Sequence, residues 1–152
     1  MTPVPAAPAA AKPGGPLPDL IDHTPIGDLP RIGTDGTMAW RAYAAQAPDA
    51  GDKPRIAILV SGLGVSATVD DHAINGLPPA VSLAFLSFSD RIKALVVKAR
   101  TAGHEVVLGT PMEPETYPAD DPGPQTLLIK SAPAENVARL DWHLARTDSY
   151  IG

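Results

Sequence analysis

The chain has 152 residues, a formal net charge of -5 and no run of lysine or arginine, which excludes a polyanion partner such as nucleic acid or an anionic membrane surface. It has no cysteine, so disulfides, thiolate metal sites and cysteine nucleophiles are ruled out together. No stretch approaches the roughly 18 consecutive apolar residues of a membrane helix, and the N-terminal MTPVPAAPAAAKPGG lacks the charged start and compact apolar run of a secretory signal.

Either the protein is soluble inside the cell, or an anchor precedes the sequence given. Eight of the 18 prolines fall in residues 1–30, among alanine and glycine. That composition predicts a disordered Pro/Ala-rich linker over residues 1–29, leaving about a hundred residues to build a core. Residues 30–53 are expected to form an arm packed on the following domain. Within it Trp40 and Tyr43 stand three apart and suit one face of a short helix, or separate burial from a loop.

From residue 54 onward strands and helices alternate. The run PRIAILVSGLGVS predicts a strand over 55–60, apolar enough to be covered on both faces of a parallel sheet. Gly62 and Gly64 allow a tight turn after it, and Ser66 is placed to cap a helix whose face reads Val69, Ala73 and Leu77 until Pro78-Pro79 stops it. A second strand over 81–86 leads to Ser89, which is placed to cap a helix with Ile92, Leu95, Val96 and Ala99 on one face and a stop at Gly103. A third strand spans 105–110. The connection from Pro111 to about Lys130 is long and proline-rich, the pattern of a functional or disordered loop. A third helix over 133–146 is expected to bury Val137, Leu140 and Leu144, and Tyr150-Ile151-Gly152 begins a fourth strand.

Successive βα units predict an α/β fold with a parallel sheet and right-handed crossovers. Three units and a fraction do not close a barrel, so a partial (β/α) barrel is expected, either a fragment or a protein whose remaining half was removed.

In such folds chemistry sits at the carboxyl ends of the strands. What stands after the first strand is Ser61 and Gly62, with no carboxylate or imidazole. The loop offers Glu113, Glu115, Asp120 and Asp121, of which Glu113 lies nearest a strand end. A solvated acidic loop held by prolines explains the same residues. His104 precedes the third strand, roughly 20 Å from its carboxyl end, and belongs to the opposite rim. His72, His143 and His23 fit partly exposed structural roles on helices and linker. Ser61 has no G-x-S-x-G elbow around it, which argues against a serine hydrolase. Gly62-Leu63-Gly64 begins a G-x-G-x-x-A sequence between strand and helix, the fingerprint of a Rossmann-type dinucleotide-binding domain. The acidic residue expected about twenty positions on is replaced by Leu86-Ser87-Phe88-Ser89.

Several motifs then coincide in order: IAILVSGLG, LPPAVSLAFL, AGHEVVLGTPMEP, YPADDPGP, and ENVARLDWHLAR before YIG. Over residues 54–152 the chain resembles the N-terminal half of the divergent polysaccharide deacetylase family, envelope-associated proteins related to carbohydrate deacetylases with an incomplete β/α barrel. LPRIGTDGTMAWRAYAAQAP resembles the arm preceding that domain in alphaproteobacterial members. The resemblance implies amide hydrolysis at a divalent metal such as zinc in fuller members, and a periplasmic or envelope location in carbohydrate metabolism. It also implies where the ligands stand: an aspartate pair after the first strand, a histidine before Pro-Met-Glu-Pro, and another just beyond the fourth strand. Here those positions hold Ser61 and Gly62, then Gly109, and the last falls past Gly152. The expectation is a degenerate pseudoenzyme, truncated at the C-terminus, with no cofactor. It would bind a glycan or an envelope protein through Pro111, Met112, Glu113, Asp120 and Asp121. An active deacetylase with a rebuilt site around Glu113 is the alternative.

Overall fold

A computed structural model describes residues 15–45, 51–52 and 54–152. Strands β3 (Leu59–Leu63), β4 (Ser82–Leu86) and β5 (Val106–Gly109) form a parallel sheet in the order β3-β4-β5. Helices α2 (Ala67–Gly76) and α3 (Ile92–Thr101) make the crossovers, and α4 (Pro133–Leu144) follows the long loop. Beyond β5 the chain end extends the sheet. Ile151 N–H donates to the Val106 carbonyl at 2.8 Å, and the Gly152 carbonyl accepts from Leu108 N–H at 2.8 Å. Among the described residues the sheet does not close into a barrel.

The central position of β4 explains its sequence. Leu83, Ala84 and Phe85 are buried because strands flank it on both edges and helices cover it, and each large apolar side chain removed from water contributes about 1.5–3 kcal/mol. Ile92, Leu95, Val96 and Ala99 of α3 pack into the same core with Val106 and Leu108, as the four-residue spacing predicts.

The first strand departs from its reading. It pairs from Leu59, not residue 55, and it lies at the sheet edge, so Ile56 (88%), Ile58 (56%) and Leu59 (53%) remain exposed. An apolar run therefore did not mean cover on both faces. Its register with β4 slips between Val60 and Leu63, which places Ser61 and Gly62 inside a bulge, ahead of the strand's carboxyl end. In α2 the buried face is Asp70, Ala73 and Ile74, and Val69 points to solvent. In α4 Val137 is exposed and His143 is the buried residue, while Leu144 packs partly buried against the core.

The predicted linker over 1–29 is corrected for the part described; residues 1–14 lie outside the described residues. A 3-10 turn at Pro18–Leu20 runs into an antiparallel hairpin of β1 (Ile21–Thr24) and β2 (Gly27–Pro30). The prolines that suggested disorder occupy positions requiring little of a backbone N–H: Pro18 starts the 3-10 turn, Pro25 lies between the strands, and Pro30 ends β2. In the arm, α1 (Ala39–Ala42) precedes Tyr43, which is buried with Leu20 and Ala42 while Trp40 faces solvent. Residues 46–50 and 53 of the expected arm lie outside the described residues. The Tyr43 carbonyl accepts from Arg100 Nη1 at 2.7 Å, and Ala45 N–H donates to Glu105 Oε1 at 2.7 Å, fastening the arm to the amino end of the sheet.

Candidate functional site

The turn from β3 to α2 is closed by its own side chains. Gly64 lies at φ +108, and a Cβ there would come within 3.0 Å of the Ser89 Cβ, so the position requires glycine. Its N–H donates to Asp70 Oδ1 at 2.8 Å, and its carbonyl accepts from Ser89 Oγ at 2.7 Å. The other oxygen of Asp70 accepts from Arg91 Nη2 at 2.8 Å. A carboxylate in the first turn of α2 faces the positive end of the helix dipole. The glycine turn is thus filled by the protein's own anion. This corrects the Rossmann-type alternative: Gly62 and Leu63 belong to the strand, and the Gly64 amide that would face a pyrophosphate already serves Asp70.

The ends of β4 and β5 meet a buried histidine. Ser87 Oγ lies 2.8 Å from the Gly109 carbonyl and 2.7 Å from His143 Nδ1, while His143 Nε2 lies 2.8 Å from the Gln125 carbonyl. A neutral ring satisfies every group: Nε2–H donates to Gln125, Nδ1 accepts from the Ser87 hydroxyl, and Gly109 keeps the Ser87 N–H at 3.0 Å. Burial holds the His143 imidazole below its ordinary range, and the Arg146 charge pushes the same way against the opposing bond to Gln125. Both Ser87 and His143 are fully buried, so their pairing fastens α4 to the sheet and offers no nucleophile to a substrate. The partly exposed role expected for His143 is corrected accordingly. The available signal was its place three residues after Leu140, on the same helix face.

The sequence-derived loop candidates do not converge. Pro111, Met112 and Glu113 run beside Leu127: Leu127 N–H donates to the Pro111 carbonyl at 3.1 Å and Glu113 N–H to the Leu127 carbonyl at 2.8 Å. Glu113 Oε2 accepts from Ile129 N–H at 2.8 Å. Asp120 accepts from Thr116 Oγ1 at 2.6 Å, and Asp121 from Gly123 N–H at 2.9 Å. Each carboxylate holds its own loop, and among the described residues no hydrogen bond joins Glu113 to Asp120, Asp121, Ser61 or Gly62. Met112, Asp120 and Asp121 are exposed. His104 sits at the amino end, buried, with Nδ1 2.8 Å from the Val81 carbonyl and Nε2 3.0 Å from that of Ile74.

A family profile described as divergent polysaccharide deacetylase matches residues 58–152. The chain belongs to the divergent polysaccharide deacetylase family. The crystal structure of an uncharacterized protein from Agrobacterium tumefaciens C58 is similar, with a TM-score of 0.78 and 38% identity over 83% of this chain and 51% of that one. The chain therefore spans about half the length of that relative. No curated protein matches it.

A divalent metal that activates water needs about three nitrogen or anionic oxygen donors from the protein. The positions that the resemblance assigns to this deacetylase family's ligands do not fit one. Ser61 offers a neutral hydroxyl, and Gly62 and Gly109 offer no side chain. Gly62 lies at φ +79, where aspartate is strained, and a Cβ at Gly109 would lie 3.3 Å from the Phe85 carbonyl oxygen. Among the described residues no group of three or more His, Asp or Glu side chains is placed to hold a metal ion.

Proposed function

We propose that this divergent polysaccharide deacetylase is catalytically degenerate and acts as a glycan-binding module of the cell envelope or periplasm, holding a carbohydrate without hydrolysing it. The observation carrying this reading is the replacement of donors at Ser61, Gly62 and Gly109, joined to a Gly62 backbone conformation that suits glycine. Losing most of a ligand shell removes metal affinity and water activation together. The exposed Met112, Asp120 and Asp121 supply an apolar contact and hydrogen-bond acceptors for sugar hydroxyls on the loop following β5.

Calorimetric titration with acetylated and deacetylated chitooligosaccharides tests the binding. Saturable binding weakened tenfold or more by the double variant Asp120→Asn, Asp121→Asn is expected. Absence of binding to either oligosaccharide would overturn the glycan reading.

A further inference from the structure

Both ring nitrogens of the buried His104 face carbonyl oxygens, Nδ1 that of Val81 at 2.8 Å and Nε2 that of Ile74 at 3.0 Å. A carbonyl oxygen only accepts, and a neutral imidazole has one N–H. A neutral ring would therefore set a nitrogen lone pair against an oxygen lone pair where solvent does not reach. At His143 the second nitrogen meets the Ser87 hydroxyl, which can donate, so a neutral ring suffices there.

The sequence shows why the Ile74 carbonyl needs an outside donor. Ile74 stands in the last turn of α2, and four positions on is Pro78, which has no N–H to offer it. The ring also lies at the negative ends of two helices. Ile74 closes α2, and His104 N–H donates to the Ala99 carbonyl in the last turn of α3 at 3.0 Å. A positive charge is stabilised at such ends. The charged side chains on the surrounding elements divide in sign. Arg100 Nη1 lies 3.3 Å from the His104 carbonyl and opposes a second cation, although the same nitrogen is drawn closer to the Tyr43 carbonyl of the arm. Glu105, which accepts from Ser82 Oγ at 2.8 Å, favours one. On α2, Asp70 pairs with Arg91, Asp71 pairs with Lys98 and His72 is exposed, and no charged residue occurs from Asn75 to Ser82.

We propose that His104 carries a proton on each ring nitrogen at neutral pH, and that the second proton clips the end of α2 to the start of β4, a pH-sensitive fastening that opens on the alkaline side. Long-range proton–nitrogen correlation spectra of the unmodified chain test this at about pH 7.5, where a histidine of an unfolded chain holds its second proton in roughly one molecule in ten. Folded His104 should show two protonated nitrogens, with both N–H protons slow to exchange. In urea the same ring should show mostly neutral signals. Raising the pH further should remove one ring proton and shift amide signals chiefly over residues 74–82.

A second readout compares the parent with His104→Gln, whose side chain does not titrate. On refolding at about pH 7.5 the variant should take up about one proton fewer than the parent. The spectra do not depend on that variant folding. A single protonated nitrogen on folded His104 at that pH would overturn the proposal, as would alkaline shift changes that spare residues 74–82. So would equal proton uptake by the parent and a folded variant.

Discussion

Replacing His143 by leucine tests the buried junction between α4 and the sheet. The substitution keeps an apolar body in a fully buried position but strips the Gln125 carbonyl of its donor, while Ser87 retains Gly109 as an acceptor. One buried carbonyl left unpaired costs about 1–3 kcal/mol, and the change of shape adds roughly 1 kcal/mol. The expected loss is therefore about 2–4 kcal/mol near neutral pH, a fall in melting temperature on the order of 10 °C or more for a domain this small.

The sign of the pH dependence follows from the lowered proton affinity of His143. The unfolded chain protonates near the ordinary histidine value of 6.5, while the folded chain resists protonation. Stability from the neutral ring is thus fully present above about pH 6.5 and declines as pH falls through that value, by at most about 1.4 kcal/mol per pH unit. The leucine variant lacks this term. Urea unfolding of both proteins at about pH 7.5, 6.5 and 5.5 should show the gap between them narrowing with acid. A gap that stays constant or widens, or a variant as stable as the parent near neutrality, would refute the reasoning.

Asp70→Asn should destabilise by about 2–4 kcal/mol, because an amide opposite Arg91 replaces a paired carboxylate that is itself buried; an unchanged melting temperature would mean that the turn does not depend on the pair. Gly62→Ala should cost about 1–2 kcal/mol at φ +79, whereas Ser61→Ala, on an exposed side chain, should change stability by no more than about 0.5 kcal/mol. Equal effects in thermal melts would place the bulge elsewhere. Glu113→Ala should free Ile129 N–H and speed proteolytic cleavage within residues 127–130, with less than about 1.5 kcal/mol lost globally. Unchanged cleavage there would show that the bond does not hold the loop.

The strand positions of β4 and β5 were legible because Leu83, Phe85, Val106 and Leu108 combine apolar character with glycine and proline boundaries. The α3 face was legible because Ile92, Leu95, Val96 and Ala99 keep helical spacing. What escaped the sequence depends on position in the sheet. An edge strand and a central parallel strand can share a composition, so the run at Ile56–Val60 concealed its exposure. Asp70 and His143 were passed over because polar residues on helices read as surface, and only their partners at Gly64, Arg91, Ser87 and Gln125, distant in sequence or across a turn, make burial tolerable. The hairpin escaped because proline counts do not distinguish Pro18, Pro25 and Pro30 at permitted positions from prolines in an extended leader.

The proposed catalytic degeneracy is tested most directly on the unmodified protein, by calorimetric titration with zinc alongside acetate release from acetylated chitooligosaccharides. No stoichiometric zinc binding and no chelator-sensitive acetate release are expected, since Ser61, Gly62 and Gly109 present no metal-binding side chain of the required kind. Tight one-to-one zinc binding together with acetate release abolished by a chelator would contradict it.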